Sequence, residues 1–298
     1  MSARRVAQVP PLRWVLGLRS FWKQHRLPPA LPLLIVIVFL VCAVFAGLIA
    51  PHPQNQGELS KRLLPPTGMA KADSSYLLGT DGQGRDILSR LIYGARMALL
   101  ISIVSIALTA ALGTFIGLLA GLFGGKLDMV VMRLVDVSMS IPAILIAVLL
   151  AAVFGASVQN VIIIVIILIW PAYARLVRGE TLSVKQADYV ALARVAGCSR
   201  LTIMRRHILP NVLPTVLVLM SLHVALVIVM EAGLSFLGFG IPPKYATWGS
   251  MIQQGYQQLQ TSWWVAVFPC IVIVLTVISF NILGDWVRDR LDPKLRQV

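Results

Sequence analysis

The stretch VSMSIPAILIAVLLAAVFGASVQNVIIIVIILIWPAYA, from Val137 to Ala174, decides the fold. None of its 38 residues is charged. A helix needs about 20 mostly apolar residues to cross the hydrocarbon core of a membrane, where no water can satisfy its backbone groups. The stretch is therefore too long for a single crossing. The turn that divides it into a third and a fourth transmembrane helix is predicted at Gly155, Ser157, Gln159 and Asn160.

Charge-free runs that are long enough to cross a membrane also occur on both sides of this stretch. Of the 298 residues, 58% are hydrophobic and only 13% are charged, whereas soluble globular domains carry roughly 25% charged residues. We therefore predict an all-α integral membrane protein with six transmembrane helices. The other four predicted helices are Leu31–Ala50, Met97–Phe123, Val212–Met230 and Val265–Gly284.

The basic residues indicate how the chain is oriented in the membrane. Lys and Arg number 26 against 12 Asp and Glu, which gives a net charge of +14. Cytoplasmic loops carry the excess of Lys and Arg in membrane proteins, so we expect both termini to lie in the cytoplasm. The segments predicted to be cytoplasmic are 1–30, about 178–210 and 291–298, and those predicted to be external are 51–95 and about 231–264.

Other classes of protein fit this sequence less well. Nucleic-acid binding is disfavoured because the basic residues lie between apolar runs and form no basic groove interleaved with aromatic residues. A metal centre is disfavoured because the three cysteines and four histidines share no ligand spacing. An ion-driven secondary transporter would show inverted repeats and midplane ionisable groups, yet only His223 is titratable near a predicted midplane. No set of catalytic side chains at one membrane depth indicates an enzyme.

The cytoplasmic loop contains the most informative short motif. It reads YVALARVAG from Tyr189 to Gly197 and, after nine residues, HILPN from His207 to Asn211. Small residues at this spacing suit a short helix that packs closely against another protein. A basic helix that lies on anionic lipid headgroups is the alternative, and composition does not separate the two interpretations.

The spacing of this motif resembles the coupling loop of binding-protein-dependent ATP-binding-cassette (ABC) importer permeases, known as the EAA loop. Ala193, Gly197 and Pro210 match the family pattern, whereas Ala191 stands where the family has glutamate. The resemblance implies a helix that docks in a cleft of an ATPase subunit, without a carboxylate at position 191. The residues implied at this contact are Asp188, Tyr189, Val190, Ala191, Ala193, Arg194, Gly197 and Cys198.

Three further segments narrow the resemblance. They are LGTDGQGRDILSRLIYGAR at 78–96, LSFLGFG at 234–240 and NILGDWVRDRLDP at 281–293. Together they resemble the dipeptide, oligopeptide and nickel permease family, and the long first external loop points to the C-type subunit. The resemblance implies a type I ABC importer permease fold, with a core at 96–290 and an additional first helix at 31–50.

The same resemblance implies a function and a set of partners. The cargo would be di- or oligopeptides, with nickel complexes, glutathione-like compounds and oligosaccharides as alternatives, and the location would be the bacterial inner membrane. The partners would be a homologous second permease, two P-loop ATPases, an extracytoplasmic binding protein and membrane lipid. The sequence has no Walker motif, and the near match at Ala120–Leu127 lacks both the first glycine and the hydroxyl residue. We therefore expect a transport subunit that binds no cofactor, with ATP and magnesium used by the partner ATPases.

A few polar or helix-breaking residues lie within the predicted spans or beside them. His223 lies near the middle of the fifth span, where it would line the pathway or pack against a neighbouring helix. Pro142 is expected to kink the third helix. Arg133 and Asp136 are expected to form a local ion pair. In the first external loop, the expected mutual contacts are those among Asp81, Arg85 and Asp86.

Overall fold

A computed structural model describes residues 28–291 of the chain. Within this range every regular element is helical, apart from two isolated bridges in the first external segment. The predicted all-α fold is therefore confirmed for these residues, while the tail and nearly all of segment 1–30 lie outside them. The helices are α1 (Ala30–Val44), α2 (Ala46–Ile49), α3 (Ile87–Phe123), α4 (Gly125–Ser140), α5 (Ala143–Phe154), α6 (Val158–Val184), α7 (Asp188–Val195), α8 (Arg200–Ile203), α9 (Leu209–Phe236), α10 (Trp248–Tyr256) and α11 (Trp264–Leu291), with a 3₁₀ turn at Leu59–Lys61 and a π turn at Met204–Ile208.

Four of the described helices are long and apolar enough to cross a membrane, namely α3, α6, the continuous run Arg200–Phe236 that ends in α9, and α11. The pair α4 and α5 passes the same test only when both halves are counted together. Helix α1 has 15 residues, or about 22 Å, against a hydrocarbon core of about 30 Å. A sixth span and the cytoplasmic location of both termini therefore stay predictions.

The second span begins earlier than its charge-free run suggested. Helix α3 starts at Ile87 rather than at Met97. Its N-terminus is capped by Asp86, whose side chain accepts a hydrogen bond from the Ser89 N–H at 2.9 Å. Arg96 lies inside the helix and donates from Nε to the carbonyl oxygen of Ala43 at 3.0 Å. A charged residue thus did not mark the helix boundary, and the external segment predicted at 51–95 ends inside α3.

The third span is broken into two helices rather than kinked. The axes of α4 and α5 meet at 90°, with the break at Ile141 and Pro142. Pro142 precedes the first residue of α5 in an extended conformation, and its missing N–H cannot continue the hydrogen-bond ladder of α4. The expected kink at Pro142 is therefore a complete change of direction.

Ion pairs attach α4 to α6, and they differ from the expected pair. Asp136 bonds to Arg175 of α6, so the predicted local pair between Asp136 and Arg133 is wrong. Asp128 accepts two hydrogen bonds from the Arg178 guanidinium, at 2.9 and 2.7 Å. A bidentate pair across two helices fixes their relative position better than a pair within one helix.

Helices α3 and α6 approach each other along a row of glycines. A Cβ atom on Gly117 would lie 2.6 Å from the carbonyl oxygen of Ala174, and one on Gly113 would lie 2.5 Å from the Cβ of Tyr173. A Cβ atom on Gly121 would likewise lie 2.7 Å from the Cβ of Thr181. This spacing of four residues is the small-residue pattern that lets two membrane helices pack with their backbones close together.

The C-terminal end of α9 packs against α10. Helix α9 continues to Phe236, so Glu231 lies within the helix and not at the start of a loop, where the sequence had placed it. Glu231 is buried and accepts a hydrogen bond from Ser235 at 2.7 Å. Gly249 of α10 packs against the backbone of Ala232, where a Cβ would lie 2.2 Å from the carbonyl oxygen.

Candidate functional site

Helix α7 presents an apolar face to its surroundings. Val190 is fully buried and belongs to the main hydrophobic core. On the other side of the helix Leu192 is 68% exposed, Val195 is 88% exposed and Tyr189 is 44% exposed. These three residues follow one another at intervals of three and therefore form one stripe along the helix surface. Helix α7 lies between two spans and is not part of either. An exposed apolar stripe on such a helix is a typical contact surface for another protein.

Gly197 ends this helix with a backbone turn that favours glycine. Its φ is +81°, in the left-handed region. The Gly197 N–H bonds to the Arg194 carbonyl at 3.1 Å, and the Cys198 N–H bonds to the Ala193 carbonyl at 3.0 Å. These two bonds are those of a Schellman motif, in which a left-handed residue closes a helix C-terminus. Since a Cβ at 197 would meet no atom within 4 Å, the backbone angle rather than a lack of space requires glycine.

A π turn joins the end of this segment to the span α9. Ser199 caps α8 by accepting a hydrogen bond from the Thr202 N–H at 3.2 Å. In the π turn the Leu209 N–H bonds to the Met204 carbonyl, five residues back. Pro210 follows, and its missing N–H prevents a regular helical bond at this point. Arg200–Phe236 is nevertheless one continuous helical run, so α8, the π turn and α9 follow one another without a loop.

The eight predicted coupling residues fall into three groups by burial. Val190 is buried and faces the core, so it supports the helix and is not free to contact a partner. Ala193 and Cys198 are half-buried and pack against the same core. The remaining predicted residues are exposed, and they are Asp188, Tyr189, Ala191, Arg194 and Gly197.

Sequence reasoning missed the two most exposed apolar residues of the stripe. Neither Leu192 nor Val195 is among the eight residues predicted for this contact. The available signal was the interval of three between Tyr189, Leu192 and Val195. That pattern identifies a contact surface only when the buried side of the helix is known, which here is set by Val190.

His223 and Pro142 lie in different parts of the structure. The ring of His223 on α9 contacts the ring of Tyr173 on α6 edge to face, with centroids 5.2 Å apart. His223 therefore packs against a neighbouring helix, which is one of its two predicted roles. Pro142 lies at the break between α4 and α5 and is exposed.

The segment between α2 and α3, which the sequence predicts to be external, contains a buried cluster of charges. Arg85 donates from Nε to Asp81 at 2.8 Å, and its Nη2 donates to Gln254 of α10 at 2.9 Å. Arg90 is buried and lies 3.3 Å from the same carboxylate of Asp81. The expected contact between Asp81 and Arg85 is thus present, while Asp86 caps α3. The cluster attaches the segment between α2 and α3 to α10.

Comparisons with known proteins agree with these features. The family model described as "Binding-protein-dependent transport system inner membrane component" matches residues 113–297. The di/tripeptide transport system permease protein DppC of Pseudomonas aeruginosa is 36% identical over 97% of this chain and 96% of its own length. The probable D,D-dipeptide transport system permease protein DdpC of Escherichia coli is 37% identical over 87% and 85%, and the glutathione transport system permease protein GsiD of Pectobacterium atrosepticum is 38% identical over 93% and 90%.

Solved structures show the same fold. The MetNI methionine ABC transporter, in an inward-facing conformation, gives a TM-score of 0.58 at 20% identity over 69% of this chain and 98% of the matched chain. An amino acid ABC transporter gives a TM-score of 0.52 at 14% identity over 68% and 94%. The chain therefore belongs to the binding-protein-dependent transport system inner membrane components, the permease subunits of ABC importers.

Proposed function

We propose that this chain is the C-type permease subunit of a bacterial inner-membrane importer for short peptides. The cargo class is inferred from the relatives that match most of the chain. They are named as permeases for di/tripeptides, D,D-dipeptides and glutathione. All three cargoes contain amide-linked amino acids. The chain would pair with a homologous permease, two ATPases and an extracytoplasmic binding protein.

The proposed mechanism is mechanical, since ATP is hydrolysed in the partner subunits. The stripe of Tyr189, Leu192 and Val195 would dock on an ATPase subunit. Closure of the two ATPases on ATP would then move α7. Because the run Arg200–Phe236 is continuous, this movement would change the tilt of α9 and expose the peptide pathway alternately to the two sides of the membrane.

Reconstitution tests this function. The tagged chain is co-expressed with its genomic neighbours, purified in mild detergent and placed in proteoliposomes with the binding protein and a labelled dipeptide outside. We expect a second permease and P-loop ATPases to co-purify, and dipeptide uptake to require ATP and magnesium on the ATPase side. Uptake driven by an ion gradient with this chain alone would contradict the importer mechanism. ATP-dependent uptake of a non-peptide cargo would contradict only the cargo class.

A further inference from the structure

Two arginines near the start of α9 have no acidic partner among the residues that the structure describes. Arg205 and Arg206 lie in the π turn and are exposed. With Leu201 and Thr202 they line a cavity of about 480 Å³. Elsewhere in residues 28–291, Arg85, Arg175 and Arg178 each pair with an aspartate. The lining of this cavity therefore combines two unneutralised cations with a hydroxyl group.

The local backbone brings these donors together. A π turn has more residues per turn than an α-helix, so successive side chains diverge less, and Arg205 and Arg206 point closer to the same side. Thr202 lies one turn earlier, and its hydroxyl is 2.8 Å from that of Ser199. Guanidinium groups bind phosphate oxygens with two parallel hydrogen bonds. The cavity thus has the donors that a phosphate group requires and no carboxylate in its lining.

The position of the cavity along the helix corresponds to lipid headgroups. The charge-free part of the fifth span begins at Val212, six residues after Arg206, which is about 9 Å of helix. The headgroup zone extends roughly 5–8 Å beyond the hydrocarbon core, and an arginine side chain reaches back towards it. Both arginines therefore lie within reach of the headgroup zone beside α9.

We propose that this cavity binds the phosphate headgroup of an anionic phospholipid of the phosphatidylglycerol type. The two guanidinium groups contact the phosphate, and the acyl chains extend from there along α9 into the hydrocarbon core, beside the charge-free part that begins at Val212. The lipid comes from the cytoplasmic leaflet, where the excess of Lys and Arg places this end of α9. Basic pockets beside transmembrane helices on this side of a membrane bind anionic headgroups. The bound lipid stabilises the π turn between α7 and α9, whatever the cargo.

The test counts retained lipids. The importer complex is placed in nanodiscs of phosphatidylglycerol and phosphatidylcholine, released into mild detergent and examined by native mass spectrometry. Arg205→Gln/Arg206→Gln is compared with Lys126→Gln/Arg288→Gln, which removes two exposed basic residues elsewhere. We expect the first variant to retain phosphatidylglycerol roughly thirty-fold more weakly than the wild type, because it loses two contacts to an anionic lipid. The control retains it normally, and Arg205→Lys/Arg206→Lys recovers part of the binding.

Three results would overturn the proposal. Equal retention of phosphatidylglycerol by the glutamine variant and the wild type would show that the cavity holds no lipid. Loss of the ATPase subunits from that variant, with lipid retention unchanged, would identify a protein as the occupant. Stabilisation of the wild type in pure phosphatidylcholine by inorganic phosphate, to the same extent as by phosphatidylglycerol, would identify the free ion. Lipid retention is measured without cargo. A failure of peptide transport would therefore contradict the proposed function and not the lipid site.

Discussion

At position 197 the positive φ angle of the backbone explains why the residue is glycine. A φ of +81° is readily adopted by glycine and costs an L side chain roughly 1–2 kcal/mol. The two hydrogen bonds of the Schellman motif form only when this residue adopts the left-handed conformation. Gly197 therefore determines where α7 ends and how the chain turns towards α8, although its own surroundings are empty.

Substitution of Gly197 by alanine should weaken coupling. We expect Gly197→Ala to destabilise the end of α7 by about 1 kcal/mol and to lower ATP-dependent uptake several-fold, while Gly197→Asn is tolerated better because asparagine adopts this conformation more readily. Uptake in proteoliposomes measures the effect. Gly179→Ala is the matched control, since Gly179 lies within α6 with a negative φ and an open Cβ position. Equal uptake by the two alanine variants would contradict the role of the backbone turn.

The exposed stripe of α7 gives a second prediction at the residue scale. Leu192→Glu places a charge in the apolar surface proposed to dock on the ATPase, so we expect at least a tenfold loss of ATPase subunits in co-purification. The permease itself should fold normally, because Leu192 is 68% exposed. Ala191→Glu adds the same charge to a neighbouring exposed position where the related loop carries glutamate, and it should leave binding unchanged. Similar retention by both variants would show that the stripe is not the docking surface.

At the scale of elements, the pairing of α3 with α6 depends on missing side chains. Gly113, Gly117 and Gly121 lie one turn apart, and each lies directly against a residue of α6. The bidentate bond between Arg178 and Asp128 then holds α4 against the same helix. Helix α6 is thus the common partner of α3 and α4, which explains why the broken span can keep its position despite the 90° bend.

A single methyl group at this contact should disturb the helix pair. Gly117→Ala places a Cβ 2.6 Å from the Ala174 carbonyl oxygen, so the helices must separate, at a cost of about 1–3 kcal/mol. We expect a lower unfolding temperature by size-exclusion thermal assay in detergent. Gly47→Ala, an exposed helical position whose nearest contact is 4.0 Å away, should leave that temperature unchanged or raise it. A temperature unchanged by Gly117→Ala would contradict the close approach.

At the scale of the whole molecule, α9 connects two groups of contacts that lie at its opposite ends. Its C-terminal end packs against α10, where Gly249 contacts Ala232. Its other end continues into the π turn and α7. The buried cluster around Asp81 attaches the first external segment to α10 through Arg85 and Gln254. The Asp81 cluster and the proposed docking helix α7 are therefore linked through one helix.

Loss of the shared carboxylate of this cluster should destabilise the whole protein. Asp81→Asn leaves Arg85 and Arg90 buried without their counter-charge, at a cost of about 3–5 kcal/mol. The side chains of Asp81 and Arg85 are 3% and 6% exposed. Asp136→Asn removes an ion pair whose side chains are 59% and 48% exposed, so it should cost less than about 1 kcal/mol. Thermal unfolding and the yield of folded protein measure the loss of stability in each variant. Equal losses in Asp81→Asn and Asp136→Asn would contradict the importance of burial.

The sequence by itself determined the properties that depend on neighbouring residues. Apolar length identified a membrane protein with helical spans, and the order of short motifs indicated the permease family and the helix at Asp188–Gly197. These signals are local, because span length and helix ends depend on residues within a few turns. The break at Pro142, the partner of Asp136 and the exposed stripe of Leu192 and Val195 were decided by the tertiary structure. The partner of Asp136 and the buried side of α7 depend on which segments lie side by side. Proline accounts for a break at position 142, but the 90° bend depends on how α4 and α5 pack against α6. One sequence does not reveal such contacts between distant segments.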